Sequence, residues 1–380
     1  MDVPPLSQLI KQGRPALLAR YGQHLTAHQR RALDAMARCR TGALGATVMA
    51  CDHCSHKDVR LRSCGHRSCP RCQQHAATDW LERQRAKLLP AAYFMVTFTL
   101  PSALRPLAYR QSHVLYDLLF RTAIETLRSF GQRHPELEAE LAATAVLHTH
   151  NRQLDYHPHL HLIVPGAGVD DQHRWRSLSG RYLFNGRALG KVFRARFIKG
   201  LKRAGFELPP NCPARWVVHC QHVGAGLPAL KYLSRYLYRG VIAEKQVVAF
   251  DAHAQSVTFR YQHNKTRQQR LRTLPLVEFL WRLMIHVLPS GYRRVRDYGF
   301  LHGNARRTRI QIQIALRVVI PPSPPRLALT FLCVSCAQAM RIIGELPTTR
   351  NIIRRPAATA ATQGRDTFTT HCTTGGRGNW

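Results

Sequence analysis

The first residues able to do chemistry are six closely spaced metal-ligand candidates in the N-terminal part of the 380-residue chain. They are Cys51, Cys54, Cys64, His66, Cys69 and Cys72, and they include two CxxC pairs. Zn²⁺ prefers four thiolate or imidazole ligands in a tetrahedron, and a closed site of this kind folds a module without catalysing a reaction. We expect one structural zinc ion on Cys51, Cys54, Cys69 and Cys72, with Cys64 and His66 as further candidates. Buried structural thiols are the alternative.

The second group is a run of histidines within residues 156–164, which read YHPHLHLIV. Alternate residues of a β-strand share a face, so His159 and His161 point the same way while the intervening leucines face a core. Two imidazoles on one face can chelate a cation, although an exposed histidine-rich strand would show the same pattern. The neighbouring run 145–150 carries His148 and His150, which also share a face and offer a further ligand or a supporting contact.

The third group is the segment 227–240, which reads LPALKYLSRYLYRG. At helical spacing its leucines form one apolar stripe, and Tyr232 and Tyr236 lie one turn apart on another face. A basic stripe of Lys231, Arg235 and Arg239 runs beside the tyrosines, and we expect it to contact DNA. A phenol attacks only when its oxyanion is stabilised, so adjacent cations favour a nucleophilic role. Two amphipathic tyrosines at a domain surface are the alternative.

Charge restricts the class of protein further. The chain has 56 Lys or Arg against 21 Asp or Glu, a formal net charge of +35, so a polyanionic partner is expected. The few acids form no obvious set for a catalytic site that holds two metals on carboxylates. Neither a signal peptide nor a membrane-spanning run is evident, and the cysteines are bunched as metal ligands are. We therefore expect a cytoplasmic protein without a membrane partner.

The elements that must position these groups follow from periodicity and from Gly and Pro breaks. Helices are predicted over 73–89, 107–130, 227–239 and 275–287, and strands over 93–100, 216–220, 247–250 and 257–261. The two histidine-bearing runs, within 145–164, read as a hairpin. The segment 310–318 fits a strand or a helix. Beyond residue 347 the composition predicts disorder.

Taken together and in this order, the cysteine module, the HxH strand and the YxxxY helix resemble the two-tyrosine HUH transposases of the insertion sequence ninety-one family. The resemblance covers about residues 25–305 and includes the linking text CDHC, SCGHRSCPRCQ, FMVTFTLP, VLHTHNRQLDYHPHLHLIVPGAG and ALKYLSRYLYRGVI. Where the family tends to RHCPxC, this chain reads RSCPRC, with His66 two residues earlier than that pattern expects. After about residue 305 the match weakens, although Cys333 and Cys336 form a third CxxC pair.

The resemblance implies an α+β fold, an HUH-type antiparallel sheet with packed helices, preceded by a small helical and zinc-binding module. It implies domains of 1–89 (helical and zinc-binding), 90–310 (HUH catalytic) and 311–380 (an extension with the third CxxC and a disordered tail). His159 and His161 would hold a catalytic Mg²⁺ or Mn²⁺, with His148, His150 or His157 as candidate third ligands. Tyr232 and Tyr236 would be the paired nucleophiles.

The implied reaction nicks single-stranded DNA at the element ends and joins it to target DNA through a 5′-phosphotyrosine link, as in rolling-circle transposition. The bond energy is conserved in that link, so no nucleotide cofactor is needed. The protein would be bacterial and associated with the nucleoid. A rolling-circle replication initiator or a relaxase shares this chemistry, and a zinc-dependent DNA-binding regulator without catalysis would share the charge and the cysteines.

Overall fold

The described chain begins with two helices, and strands and further helices follow them. The structure is a computed structural model and describes residues 3–238, 241–263, 266–319 and 331–348. Its helices are α1 (Leu6–Tyr21), α2 (Ala27–Arg38), α3 (Gln74–Arg85), α4 (Arg105–Arg110), α5 (Ser112–Gln132), α6 (Gly186–Arg203), α7 (Leu227–Tyr238), α8 (Leu276–Met284) and α9 (Arg306–Ala315). Between them lie the strands that form four sheets.

The strands are short and pair in an antiparallel sense throughout. They are β1 (Ala46–Cys51), β2 (Lys57–Leu61), β3 (Tyr93–Thr99), β4 (Glu140–Leu141), β5 (Ala143–His150), β6 (Tyr156–Pro165), β7 (Ala167–Val169), β8 (Trp175–Ser177), β9 (Val218–His222), β10 (Val247–Asp251), β11 (Ser256–Gln262), β12 (Gln269–Pro275), β13 (Val295–Tyr298) and β14 (Met340–Leu346). The largest sheet has five strands in the order β13-β5-β6-β3-β9. The three smaller sheets are β14-β1-β2, β10-β11-β12 and β4-β7-β8.

Both faces of the central five-stranded sheet are covered, but by different elements. On one face Leu160 and Leu162 of β6 join Phe94 and Phe98 of β3 in a core completed by helices α5 and α6. The residues between them point to the opposite face because side chains alternate along a strand. His159 and His161 therefore share that second face, as the sequence predicted.

Helix α7 packs on this second face through its leucine stripe. Leu230, Leu233 and Leu237 are buried against Val146 of β5 and Ile163 of β6. Trp80 of α3 belongs to the same buried cluster. Because the stripe recurs every three to four residues, burying it fixes which side of α7 meets the sheet.

The start and end of α7 are also anchored. Gly226, immediately before the helix, has φ of 85°, and an added Cβ would lie 2.8 Å from the Tyr93 ring. A side chain at this position would therefore clash with the Tyr93 ring and strain the backbone. At the other end, Arg294 Nη1 donates a hydrogen bond to the carbonyl oxygen of Leu237 at 3.0 Å. The helix is thus held against the sheet at both ends as well as along its apolar face.

Truncating the central leucine of this stripe should destabilise the protein. Leu233 is fully buried, so Leu233→Ala leaves a cavity between α7 and the sheet and is expected to lower the free energy of unfolding by about 2 to 5 kcal/mol. Urea unfolding followed by tryptophan fluorescence would measure it. Val114→Ala is the matched control, since Val114 is 40% exposed and should cost well under half as much. Equal losses at the two positions would contradict this packing.

The N-terminal helices belong to a second hydrophobic core, which they form with elements much later in the sequence. Leu9 and Ile10 of α1 pack with Phe279 and Leu280 of α8 and with the β10-β11-β12 sheet. Helix α2 begins with a capping box, in which the Thr26 amide donates to Gln29 Oε1 at 2.9 Å. These helices therefore rest on the chain that follows α7 rather than on the cysteine loops alone.

The small β14-β1-β2 sheet joins two N-terminal strands to a strand from the C-terminal part of the described chain. Strand β14 pairs with β1 in antiparallel register, Ala46 opposite Leu346 and Cys51 opposite Met340. The predicted C-terminal extension thus adds a strand, Met340–Leu346, to the sheet of β1 and β2. The predicted tail beyond residue 348 lies outside the described residues.

The predicted fold class is confirmed: helices pack on an antiparallel sheet, and a helical module with clustered cysteines precedes it. The predicted hairpin is also confirmed, since β5 and β6 pair directly. The segment that fitted either a strand or a helix is helical through Ala315. Over the described residues, none of the helices is both long enough and apolar enough to span a membrane.

Candidate functional site

Three histidines meet on the face of the central sheet that also carries α7. The ligand nitrogens of His148, His159 and His161 all lie within 4.8 Å of one another. Strand pairing produces this arrangement, because β5 and β6 align His148 directly opposite His159. His148 is buried at the base, whereas His159 and His161 are partly exposed. A cation held by the three imidazoles would therefore remain open to a substrate.

Hydrogen bonds orient two of these rings. His159 Nδ1 lies 2.6 Å from the carbonyl oxygen of His157, so it carries the proton and Nε2 keeps its lone pair. His161 Nδ1 lies 2.9 Å from Thr97 Oγ1, a residue directly opposite it on β3. Such contacts fix the tautomer and ring direction of metal-binding histidines.

The electrostatic environment keeps the three rings neutral. Burial lowers the pKa of His159 to about 3, with repulsion from His161 as a further cause, and burial lowers the pKa of His161 to about 4. The pKa of His148 lies well below its usual range, again chiefly because of burial. A neutral imidazole is the form that ligates a metal, so all three rings are ready ligands near neutral pH.

Removing the support of His161 should weaken metal binding without removing a ligand. Thr97→Val keeps the side-chain shape but loses the hydroxyl that contacts His161 Nδ1. We expect the affinity for Mn²⁺ to fall about 10-fold to 100-fold, the usual cost of losing such a contact. Calorimetric titration of Mn²⁺ would measure it, with Thr258→Val as control, since Thr258 lies on β11 and contacts Thr273 instead. An unchanged affinity in Thr97→Val would show that the contact does not support the ligand.

Tyr232 stands beside this histidine cluster. Its ring centroid lies 6.4 Å from that of His161, with the two rings nearly perpendicular, and 36% of the residue is exposed. Tyr236 follows four residues later on α7, so its Cα lies on the same side of the helix. Helix α7 thus brings at least one of the two predicted nucleophiles to the histidines.

The predicted basic stripe is only partly described. Lys231 is exposed on α7, next to Tyr232. Arg235 lies on the same helix, and Arg239 lies outside the described residues. The role of the stripe in contacting DNA stays a prediction.

Two of the three candidates for the third ligand fall outside the cluster. Arg105 Nη2 donates to His157 Nδ1 at 2.6 Å, which occupies the lone pair of that nitrogen. The ring of His150 lies 5.4 Å from that of His286, beyond an irregularity in the β5-β6 pairing. Among the described residues, His148 is the one that joins the HxH pair in a group of ligand atoms, and His150 is not part of that group.

The cysteines form two clusters rather than one. In the first cluster, Cys39, Cys64, Cys69 and Cys72, all sulfurs lie within 4.8 Å of one another. The Sγ atoms of Cys39 and Cys72 are 3.5 Å apart, and those of Cys64 and Cys72 are 3.7 Å apart. Four thiolates about 2.3 Å from one zinc ion would be spaced about 3.8 Å apart, so the set fits a tetrahedral site.

The second cluster combines Cys51 and Cys54 with Cys333 and Cys336. The predicted ligand set of Cys51, Cys54, Cys69 and Cys72 is therefore wrong, because its two CxxC pairs fall in different clusters. Cys64, held as a further candidate, belongs to the first cluster. His66 belongs to neither, and its Nδ1 accepts a hydrogen bond from the Ser68 amide at 3.1 Å.

Cys39 is the ligand candidate that the sequence did not reveal. It follows α2 directly and has no CxxC partner, so its spacing carries no signal. Cys333 and Cys336 did show a CxxC signal, but nothing in the sequence linked it to Cys51 and Cys54. In both clusters the missing information was which distant segments pair.

Two family models match this chain, one in its N-terminal part and one in its central part. A family model described as a transposase, Y2_Tnp, matches residues 142–309, which include the histidine cluster and α7. A second model, Zn_Tnp_IS91, described as a transposase zinc-binding domain, matches residues 9–100. The cysteines of the first cluster all lie inside this second range, whereas Cys333 and Cys336 lie outside both.

Two proteins named as transposases are similar to this chain over most of their length. Transposase y4qJ of Sinorhizobium fredii (strain NBRC 101917 / NGR234) is 38% identical over 327 residues, 77% of this chain and 81% of that protein. The transposase for insertion sequence element IS801 of Pseudomonas savastanoi pv. phaseolicola is 27% identical over 316 residues, 77% of this chain and 75% of that protein. Among solved structures, the conjugative relaxase TrwC with oriT DNA, metal-bound, covers 60% of this chain and 71% of its own at 12% identity, with a TM-score of 0.26.

Proposed function

Because this chain belongs to the IS91-type transposases and carries their N-terminal zinc-binding domain, we propose that it nicks and rejoins single-stranded DNA through tyrosine chemistry. The substrates are the single-stranded ends of its element and a target strand. The observation that carries the proposal is the cluster of His148, His159 and His161 beside Tyr232 on α7. Residues 90–310 form the catalytic unit in this proposal.

The three histidines are the metal ligands, and Mg²⁺ or Mn²⁺ is the proposed ion. Such an ion would polarise the scissile phosphate and stabilise the charge that develops on its oxygens. The donor set fits, because neutral imidazoles converge on one point from two paired strands and are oriented by Thr97 and by the His157 carbonyl. The partial exposure of His159 and His161 leaves room for a phosphate to approach.

Tyr232 or Tyr236 supplies the nucleophile. The tyrosine oxygen forms a new ester bond to phosphorus, and the bond between phosphorus and the 3′ oxygen breaks. The phenolic proton leaves the tyrosine, and the departing 3′ oxygen takes up a proton as a free hydroxyl. The phosphorus remains a diester, now bonded to the 5′ oxygen and the tyrosine oxygen, so the reverse attack by a 3′ hydroxyl rejoins a strand without a nucleotide cofactor. Two tyrosines on one helix allow two such links at once.

The positive charge of the chain favours binding of the single-stranded DNA. A net charge of +35 favours a phosphate backbone through counterion release, and this attraction is independent of sequence. Lys231, exposed beside Tyr232, is the proposed local contact, together with Arg235 and Arg239 on the sequence pattern. The first cysteine cluster is the proposed zinc site of the N-terminal module, which would act in folding and DNA binding without chemistry.

A covalent trapping experiment tests this proposal. The full chain is incubated with Mn²⁺ or Mg²⁺ and with 5′-labelled and 3′-labelled single strands from the ends of the element. Label from the 3′ side of the nick is expected to remain with the protein in SDS and to map to α7 by mass spectrometry, and EDTA should abolish it. Tight binding with no adduct in either metal would contradict the proposal and favour a DNA-binding regulator.

A further inference from the structure

The second cysteine cluster lies at a junction between two parts of the chain that are far apart in sequence. We propose that Cys51, Cys54, Cys333 and Cys336 bind a second zinc ion, which fastens the C-terminal segment to the N-terminal zinc module. The Sγ atom of Cys51 lies beside that of Cys336, and the Sγ atom of Cys54 lies beside that of Cys333, across sequence separations of 285 and 279 residues. This site lies outside the proposed catalytic unit and does not depend on it.

The two CxxC loops have the same backbone structure. In the first loop the Cys51 amide donates to the His56 carbonyl at 2.9 Å, and in the second the Cys333 amide donates to Gln338 at 2.8 Å. The residue after the second cysteine has a left-handed backbone in both, with φ of 57° at Ser55 and 58° at Ala337. Loops so alike, facing each other, offer four thiolates in the manner of zinc sites built from two CxxC turns.

The second loop repeats a further hydrogen bond of the first. The Ser55 amide donates to the Cys51 carbonyl at 3.0 Å, and the Ala337 amide donates to the Cys333 carbonyl at 2.9 Å. The Ser335 amide also points at Cys333 Sγ, 3.4 Å away, where it would stabilise a thiolate. Two segments that share only the CxxC pattern thus have the same backbone hydrogen bonds around their cysteines.

Sulfur distances favour a metal over disulfides. The Sγ atoms are 3.4 Å apart for Cys51 and Cys336 and 3.5 Å apart for Cys54 and Cys333. A disulfide bond would bring each pair to about 2.05 Å. Thiolates about 2.3 Å from a common zinc ion would instead be spaced about 3.8 Å apart, close to what is observed.

The surrounding sheet has little else to hold it together. Its buried cluster contains Met49 and Met340 besides two of the cysteines, with Phe331 packed against them. Most residues of β2 and β14 are exposed. The ion pair between Arg341 and Asp52 at 3.0 Å is also exposed, and exposed pairs add little stability. A small sheet of this kind usually requires a metal or another cross-link to stay folded.

Counting zinc in the full chain tests the proposal. The protein is purified in reductant and dialysed against metal-free buffer. Elemental mass spectrometry is then expected to find two zinc ions per chain. Cys333→Ser with Cys336→Ser should reduce the count to one, and Cys64→Ser with Cys72→Ser should also leave one. Cys212→Ser is the matched control and should leave two, because Cys212 lies outside both clusters.

Hydrogen exchange gives a readout that does not depend on DNA cleavage. In Cys333→Ser with Cys336→Ser, amides of β14 should lose protection while those of β6 keep it, because only the small sheet loses its metal. If that variant does not fold, two measurements on the wild type still test the proposal. The wild type should contain two zinc ions per chain, and Cys333 and Cys336 should react with maleimide only after the zinc is chelated. A single zinc ion in the wild type, or disulfide-linked Cys51 and Cys336 in freshly reduced protein, would overturn the proposal.

Discussion

Replacing both Tyr232 and Tyr236 by Phe is expected to reduce covalent adduct formation with single-stranded DNA by at least about 10⁴-fold. The change removes only the two phenolic oxygens and keeps both aromatic rings. Retained rings should leave the helix on the sheet, since Leu230, Leu233 and Leu237 carry that contact. Gel analysis of SDS-stable adducts with end-labelled DNA measures the loss.

The single variants separate the two tyrosines. Tyr232 is adjacent to His161, so Tyr232→Phe should lose most of the first cleavage, and Tyr236→Phe should chiefly lose a second strand transfer. Tyr182→Phe is the control, because Tyr182 is also exposed, at 66%, but belongs to another segment. All variants should bind the strand as the wild type does. An adduct of normal yield in the double variant would show that another residue attacks.

His159→Ala is expected to lower metal-dependent cleavage by about 10²-fold to 10³-fold, with His161→Ala similar. Each removes one of the three proposed ligands, so the proposed cation would lose both affinity and orientation. Strand β6 should remain folded in both variants, because Leu160 and Leu162 on its other face stay packed in the core. Cleavage rates measured against Mn²⁺ concentration would separate a lost affinity, which high Mn²⁺ rescues, from a lost rate, which it does not.

His148→Ala is the most informative member of this series. Its ligand nitrogen lies with those of the HxH pair, so it should behave as they do, whereas His150→Ala should retain most activity. His253→Ala, at an exposed turn between β10 and β11, controls for loss of a histidine elsewhere. If His150→Ala were the severe variant and His148→Ala the mild one, the ligand set inferred from the β5-β6 register would be incorrect.

Some of the candidate site could be predicted from the sequence because it depends on local geometry. His159 and His161 share a face because side chains alternate along any strand, and the leucines between them needed a core. Leu230, Leu233 and Leu237 identified the buried side of α7 because an amphipathic helix buries its apolar stripe. In each case neighbouring residues in sequence determine the geometry.

The cysteines show the limit of that reasoning. A CxxC pair predicts a turn with two converging sulfurs. In both pairs of the N-terminal module the two sulfurs do lie within 4.8 Å of each other. Spacing does not say which pair shares a metal with which. Two pairs 14 residues apart suggested one site, but β14 returns from the C-terminal segment to pair with β1 and supplies the partner for Cys51 and Cys54.

The sequence by itself therefore determined the chemistry available to this chain: thiolates for zinc, paired imidazoles for a divalent ion, phenols beside cations, and a charge suited to DNA. Only the tertiary structure decided the groupings, namely His148 as the third imidazole and Cys39 as a ligand candidate, and the division of eight cysteines into two sets. The physical reason is that a metal site requires atoms within a few ångströms of one another. Between distant segments, strand register and helix packing set that proximity, and both follow from burial across the whole fold.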